Sequence, residues 1–511
     1  MVSRFFRISA VESTGASAAS YVPAVFVSRA LAFLRLLVVA GILGGVGQGE
    51  FGLYQPGLEL INWMVPLVML GLADVAERYA SKFEHEGLLS GLLRRHWGRL
   101  LMTGGAAVLT FAAAAPWVCH AVWGPPTRAI SQMHEFMMLG ACAVTVMLLA
   151  LYQHVAATLR GLRAYAAAAG MEVCAAVLLL VLSGIAAWMG SAVYLLGAYA
   201  VSLVGPLLVY GGLLHRHARS VQPVPRQMPE LPHLSKFAKW TLIRLLLTMP
   251  FGLIAMISVR WLAQNDAVLS QNSTLPQQQT AEYAMPYRVA QLLAFVGVTL
   301  WSSAYGVAAG AWNNQRLRRA RAQMLGVGKF GAALLVAIAL FVLLGRGILE
   351  WMLPVYADAI EALLPPLLGV FLWYSLLGFL ATFGDLQERP WCGAAIWGTA
   401  VIAQMAMLLA HTCWAAGMSA GWVATYASAT GAAVGLVVAV ILLWRPLKMD
   451  AATVPLALLA LSPLGLFAPA WVVTYVGGGT LVAGVIIPQM MGLLLRRRDR
   501  LKWAKWRRRH R

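Results

Sequence analysis

Charge, and negative charge above all, is what this sequence lacks. Only 11% of its 511 residues are charged, and 19 Asp and Glu stand against 39 Lys and Arg. With 60% hydrophobic residues, that scarcity excludes a soluble globular chain. Cysteine is scarce as well. Cys119, Cys142, Cys174, Cys392 and Cys413 sit in or at the ends of apolar stretches without metal-ligand spacing, and read as small apolar residues. His120, His134, His154 and His411 are dispersed, with no zinc pattern. No metal site and no cofactor are expected.

What fills the chain is long apolar runs. Fourteen are expected to span a membrane, at roughly 21–45, 51–73, 98–119, 136–158, 167–189, 191–214, 239–262, 282–311, 327–345, 360–384, 391–414, 418–444, 453–470 and 472–495. Each is near the ~20 residues that a helix needs to cross the hydrocarbon. With the N-terminus cytoplasmic, the inside segments and their edges hold 32 of the 39 Lys and Arg, and the outside gaps and their edges only Arg128, Arg260 and Arg346. The positive-inside rule then places both termini in the cytoplasm of a multi-pass cell (inner) membrane protein. Nothing before the first span has the pattern of a cleavable signal. A net charge of +20 would point to nucleic acid in a soluble protein; here topology accounts for most of it, and no nucleic acid partner is expected. The tail 496–511 carries ten basic residues interleaved with Trp503 and Trp506, a topology anchor that also suits anionic membrane lipids.

Outside gaps are short. The longest, 263–281, is a Gln-rich loop whose only carboxylate is Asp266. A membrane-embedded glycosyltransferase or polymerase of lipid-linked sugars would need catalytic carboxylates or bases on an outer loop or domain of useful size, so an enzyme is not expected. The longest inside loop, 215–238, holds Pro223, Pro225, Pro229 and Pro232 and reads as an extended linker. On either side lie related halves. Glu50-Phe51-Gly52-Leu53-Tyr54 opens the second span and Glu282-Tyr283-Ala284-Met285-Pro286 the eighth. Six spans per half force both to face the same way. The expected fold is therefore all-α, with about 14 transmembrane helices. Residues 1–214 and 239–444 form two parallel six-helix bundles, an N-lobe and a C-lobe, around a central cavity. Helices 13 and 14 are added over 445–495, ahead of the tail.

Arg35-Leu36-Leu37, Leu43-Gly44-Gly45 and Glu50 to Tyr54 resemble the opening of the oligosaccharide and polysaccharide flippases of the MOP superfamily. Ile348 to Pro354, with Tyr356, Ala357 and the span ending Gly384-Asp385-Leu386-Gln387-Glu388-Arg389, resembles their ninth-to-tenth helix region, although the family usually has Gly where this chain has Pro354. Trp312-Asn313-Asn314 before a basic cluster resembles the end of their eighth helix. The resemblance implies a transporter that moves a polyprenyl-pyrophosphate-linked oligosaccharide from the inner to the outer leaflet by alternating access. Surface polysaccharide polymerase and glycosyltransferase machinery would be its working partners. The alternative within the superfamily is a lipid II-type peptidoglycan precursor flippase; a non-transporting scaffold is a third reading. Twelve spans are usual in the superfamily's drug antiporters, and fourteen point away from them.

Embedded charge costs at least about 2.5–3.5 kcal/mol per group, so each charged residue inside a span calls for a partner or a task. Arg29 and Arg35 lie in the first span, Arg244 in the seventh near its cytoplasmic end, and Arg288 in the eighth with no acidic residue at its depth in the seventh. Guanidinium suits a pyrophosphate because its fork bonds phosphate oxygens bidentately and stays charged. Glu59 lies in the second span at about the depth of Arg35, so an Arg35–Glu59 ion pair stands beside substrate binding as a reading of both. Asn62, and the eighth span's Trp301, Ser302 and Ser303, fall on helices that line the family's cavity. No coupling ion is named. Asp385 and Glu388 read as a solvated turn, Glu172 as an interface charge near Arg163, and Pro56, Pro66, Pro250 and Pro286 as possible helix breaks. Labelling tests the topology: cysteines at Gln271 and Ser419 should react with an impermeant thiol reagent in intact cells, over the signal of the native five. Cysteines at Gln227 and Ala504 should react only after permeabilisation; reaction of Gln227→Cys in intact cells would overturn the order of spans six and seven.

Overall fold

The computed structural model describes residues 14–46, 48–124, 132–220, 232–248, 250–270, 274–313, 316–387, 389–414, 417–447 and Leu466. The described chain is helical, with no strand among these residues. The helices are α1 (Thr14–Val46), α2 (Gln48–Met69), α3 (Leu72–His85), α4 (Leu89–Ala113), α5 (Ala115–Trp123), α6 (Gln132–Gly161), α7 (Tyr165–Trp188), α8 (Ala192–Ser220), α9 (Pro232–Thr248), α10 (Pro250–Ser270), α11 (Leu275–Asn313), α12 (Leu317–Leu344), α13 (Arg346–Met352), α14 (Ala357–Leu386), α15 (Pro390–Leu409), α16 (His411–Trp414) and α17 (Ala420–Leu447). Among the described residues nine helical segments are long and apolar enough to cross a membrane, and a tenth if α4 and α5, bent by 80°, count as one broken span. The expected second and eighth spans correspond to α2 and α11, which stand outside that set. The expected spans 13 and 14 and the basic tail lie outside the described residues.

Two sequence expectations change in detail. The Gln-rich loop 263–281 is largely helix: α10 runs on to Ser270, and α11 begins at Leu275 with Gln277 and Thr280 buried. The extended linker shortens in the same way, because α8 continues to Ser220 and α9 starts at Pro232. Of the four prolines, Pro250 stands at the start of α10 just after α9 ends, whereas Pro56, Pro66 and Pro286 lie inside uninterrupted helices. Pro116, three residues from the end of the expected third span, sits at the beginning of α5 beyond the bend.

Contacts divide the chain into two units, Met1–Met285 with Gly417–Ala424, and Pro286–Ala416 with Thr425–Arg511. In the first, α7 packs on α1 and α8, and α6 packs on α8, α2 and α3; α9 and α10 join the same unit against α2. The short helix α3 is amphipathic. Leu72, Val75, Ala76, Ala80 and Phe83 recur every three or four residues and are buried, as one face of a 3.6-residue helix requires. That face closes a cluster with Leu89 and Leu92 of α4, Val155 and Leu159 of α6, Met171 of α7 and Tyr210 and Leu214 of α8. Gly161 at the end of α6 lets the two backbones meet, since a Cβ there would press on the Ala76 and Glu77 carbonyl oxygens.

The second unit is built on α14, which is buried over most of its length and packs on α12, α13 and α15. Trp301 of α11 is its wedge. The indole Nε1 donates to the Ser375 carbonyl at 2.9 Å, the ring lies against Phe379, and Gly331 of α12 leaves room for its edge. Gln404 of α15 donates to Ser428 of α17 at 3.0 Å inside the same unit.

Glycine matters most at position 52, in the motif that opens α2. A Cβ there would overlap the backbone carbonyl of Gln277 in the first turn of α11. Rotamer changes cannot relieve an overlap with backbone, so Gly52→Ala should destabilise by about 1–3 kcal/mol, the usual range for overpacking. Gly91→Ala on α4, with open space around the new methyl, should be neutral or gain up to ~1 kcal/mol of helix propensity. Thermal unfolding of the two purified variants compares them; equal melting would remove the close approach.

Candidate functional site

Five of the six residues singled out from the sequence lie in the first unit and the sixth, Arg288, in the second. On α2 the spacing of Gln55, Glu59 and Asn62 (i, i+4, i+7) puts them on one side of the helix. Gln55 and Glu59 are buried and Asn62 partly so. Arg29 and Arg35 are partly buried on α1. Arg35 Nη1 donates to the Tyr54 hydroxyl at 2.9 Å, so the structure gives Arg35 a neutral phenol of the opening motif rather than the Glu59 carboxylate. Arg288 Nη1 donates to Gln291 Oε1 at 2.7 Å, one turn along α11, and its guanidinium lies 5.7 Å from the centre of the Tyr287 ring.

Arg260, counted from the sequence as a charge at the outer edge, is 1% exposed. The physical reason is α5. A nine-residue helix leaves its last carbonyls without intrahelical donors, and here other groups supply them. Gly124 N–H donates to the His120 carbonyl at 2.9 Å, Trp261 Nε1 to that of Ala121 at 3.2 Å, and Arg260 Nε to that of Trp123. Trp123 in turn donates its indole N–H to the Leu53 carbonyl of α2 at 2.9 Å. A cation at the carboxyl end of a helix is electrostatically favourable, by up to ~2 kcal/mol when partly buried. Nearby, Glu50 of the opening motif accepts the Ala192 N–H at 2.8 Å, capping the start of α8, and lies 3.6 Å from His134. Glu135, the next residue on α6, is 2% exposed and was not singled out from the sequence. Pro116, near the end of the expected third span, is the sequence signal that could have marked the break.

A second charge cluster gathers at the other end of α6. Arg160 of α6 donates to Glu77 of α3 through Nη2 at 2.9 Å and Nε at 3.1 Å, and its Nη1 lies 3.7 Å from Glu172 of α7. Glu172 therefore faces Arg160, not its sequence neighbour Arg163. His217 of α8 meets Glu84 at 2.6 Å, which fixes the far end of α3. Arg244 of α9, which packs on α3, acts electrostatically on Asp74. Asp385 departs from the solvated turn expected of it: it lies in the last turn of α14 and is 7% exposed.

Burial pushes the Asp74 carboxyl up to about 6, Arg244 and Arg160 pulling down and Glu77 adding to the rise. A carboxyl raised in the folded state contributes stability that is complete below the unfolded value near 4 and is lost as pH rises through about 6. Asp74→Asn should flatten the fall in thermal stability between those values and melt higher at neutral pH. Melting of the purified protein across that range decides it; an unchanged slope in the variant would exclude Asp74 as its source.

No protein-family model matches this sequence, and no curated protein matches it either. Solved structures do. An inward-facing multidrug resistance MATE family transporter of the MOP superfamily aligns with a TM-score of 0.60 at 13% identity, over 82% of this chain and 96% of that one. An outward-facing structure of such a transporter aligns with a TM-score of 0.57 at 14% identity, over 88% and 99%. A MOP superfamily transporter from Pyrococcus furiosus, described by the reverse polarity of its binding pocket, aligns with a TM-score of 0.62 at 15% identity, over 88% and 99%. At such identities the likeness is one of architecture, and this chain has the fold of the MOP superfamily transporters.

Proposed function

We propose that the chain is an alternating-access membrane transporter that carries a polyprenyl-pyrophosphate-linked oligosaccharide from the inner to the outer leaflet. The observation that carries this reading is the sign of the embedded charge. Arg29 and Arg35 on α1, Arg244 on α9 and Arg288 on α11 sit on helices of an apolar transporter fold, while Glu59 is the single acid among the site residues. A pyrophosphate enters a low-dielectric interior only where cations replace its water. Guanidinium groups spread over several helices do that in stages, and no single site then holds the substrate too tightly to release it. Two structural relatives are multidrug resistance transporters. An excess of cations disfavours organic cations as cargo here and favours an anion. Arg35 has a neutral hydrogen-bonding partner, Tyr54, which orients the fork without cancelling its charge, and Gln291 orients that of Arg288.

Complementation of surface polysaccharide in a flippase-deficient strain, normalised to protein abundance, tests the assignment. Arg288→Ala should lower export about tenfold or more, the equivalent of one lost charge-assisted contact at ~1.5–3 kcal/mol. Arg288→Lys should recover only part, because an ammonium keeps the charge and loses the bidentate fork. Full export by the alanine variant would sink the assignment.

A further inference from the structure

Glu135 stands apart from the transport site and from every ion pair described above. It is 2% exposed, and its Oε1 has no hydrogen-bond partner among the described residues. It lines a cavity of about 340 Å³ together with Pro116, Trp117, Cys119, His120, Gln132 and Phe136. The cavity has room for several waters, and so for the proton exchange of a buried carboxyl. Arg260, a full cation that acts electrostatically on Glu135, is engaged with the Trp123 carbonyl through Nε, while its Nη1 has no hydrogen-bond partner among the described residues. Two buried groups of opposite charge thus stand near one another without an ion pair. An unpaired buried carboxylate is costly, whereas the neutral acid is not. The groups facing Glu135 are His134 on its own helix, itself engaged with Glu50 of α2, His120 and Cys119 on α5, and Arg260 on α10.

We infer that Glu135 is a proton-binding residue, protonated from the cavity while Arg260 caps α5. On release, the O–H bond of the carboxyl breaks and the proton passes to water in the cavity. The carboxylate left behind then has Arg260 Nη1 as its counter-charge. Proton occupancy thereby bears on the cap of α5, since the same guanidinium serves both.

Infrared difference spectroscopy of the full chain in lipid nanodiscs, between mildly acidic and mildly alkaline buffer, reads the protonated carboxyl directly. Glu135→Gln should remove one component of the protonated-carboxyl stretch; a spectrum identical to the wild type would overturn the inference. Should that variant fail to accumulate, Glu135→Asp must move the midpoint of the component, and an unmoved midpoint is equally fatal. Arg260→Gln should raise the midpoint, because the carboxylate loses its counter-charge; an unmoved one would remove Arg260 from the scheme. No transport substrate enters the measurement, so it stands or falls apart from the export assay.

Discussion

The carboxyl end of α5 is the constraint on which the outer half of the first unit depends. A bend of 80° redirects the chain and leaves a short helix whose terminal carbonyls lie inside protein. Hydrocarbon offers them no donors, so the protein must. Arg260 and Trp261, adjacent on α10, reach across for the purpose, and Trp123 ties the same turn to α2. Burying a guanidinium is expensive unless it is hydrogen-bonded in a favourable field, and a helix carboxyl terminus is such a field. Gln264, one turn further along α10, lies against Gly124, whose φ of +78° closes the turn.

The charges around α3 work differently. Arg160, Glu77, Glu172, His217 and Glu84 hold α3 to α6, α7 and α8 through exposed or half-exposed pairs, each of modest value. Their common effect is positional, since they keep an amphipathic helix pressed on its apolar cluster. Asp74 and Arg244 add a link between α3 and α9. The candidate residues on α2 and α9 thereby sit on elements that pack on α10, and α9 packs on α3 as well.

Membrane spans were legible because the bilayer tests each one separately. A helix crossing hydrocarbon must be apolar over its own length, a local property that any window of sequence displays. The amphipathic α3 and the break at Pro250 were local in the same sense or nearly so. Arg260 was not. Its burial depends on Trp123, 137 residues earlier, and on a bend for which Pro116 was the sole hint. Glu135 sits at the start of a span, where an acid ordinarily faces water, and only the α5 fold covers it. Asp385 was misread for a related reason, as a charge beside Arg389 implies a turn in sequence while α14 is surrounded in space. Arg35 with Tyr54 was half legible: the motif and the embedded cation were both visible, but sequence depth alone pointed to Glu59.

The same bend has a consequence for the lipid. Between Arg99 and Ala114, α4 offers 14 residues, 100 to 113, and at 1.5 Å per residue they reach about 21 Å. A typical hydrocarbon layer is about 30 Å thick. Leu101, Met102, Val108 and Leu109 on this stretch are exposed, so acyl chains pack directly on a wall too short for them. The lipids there must shorten or tilt, at fractions of a kcal/mol per ångström. A wall of that length suits hydrocarbon thinner than the average layer, and a headgroup beside it would have less of it to cross.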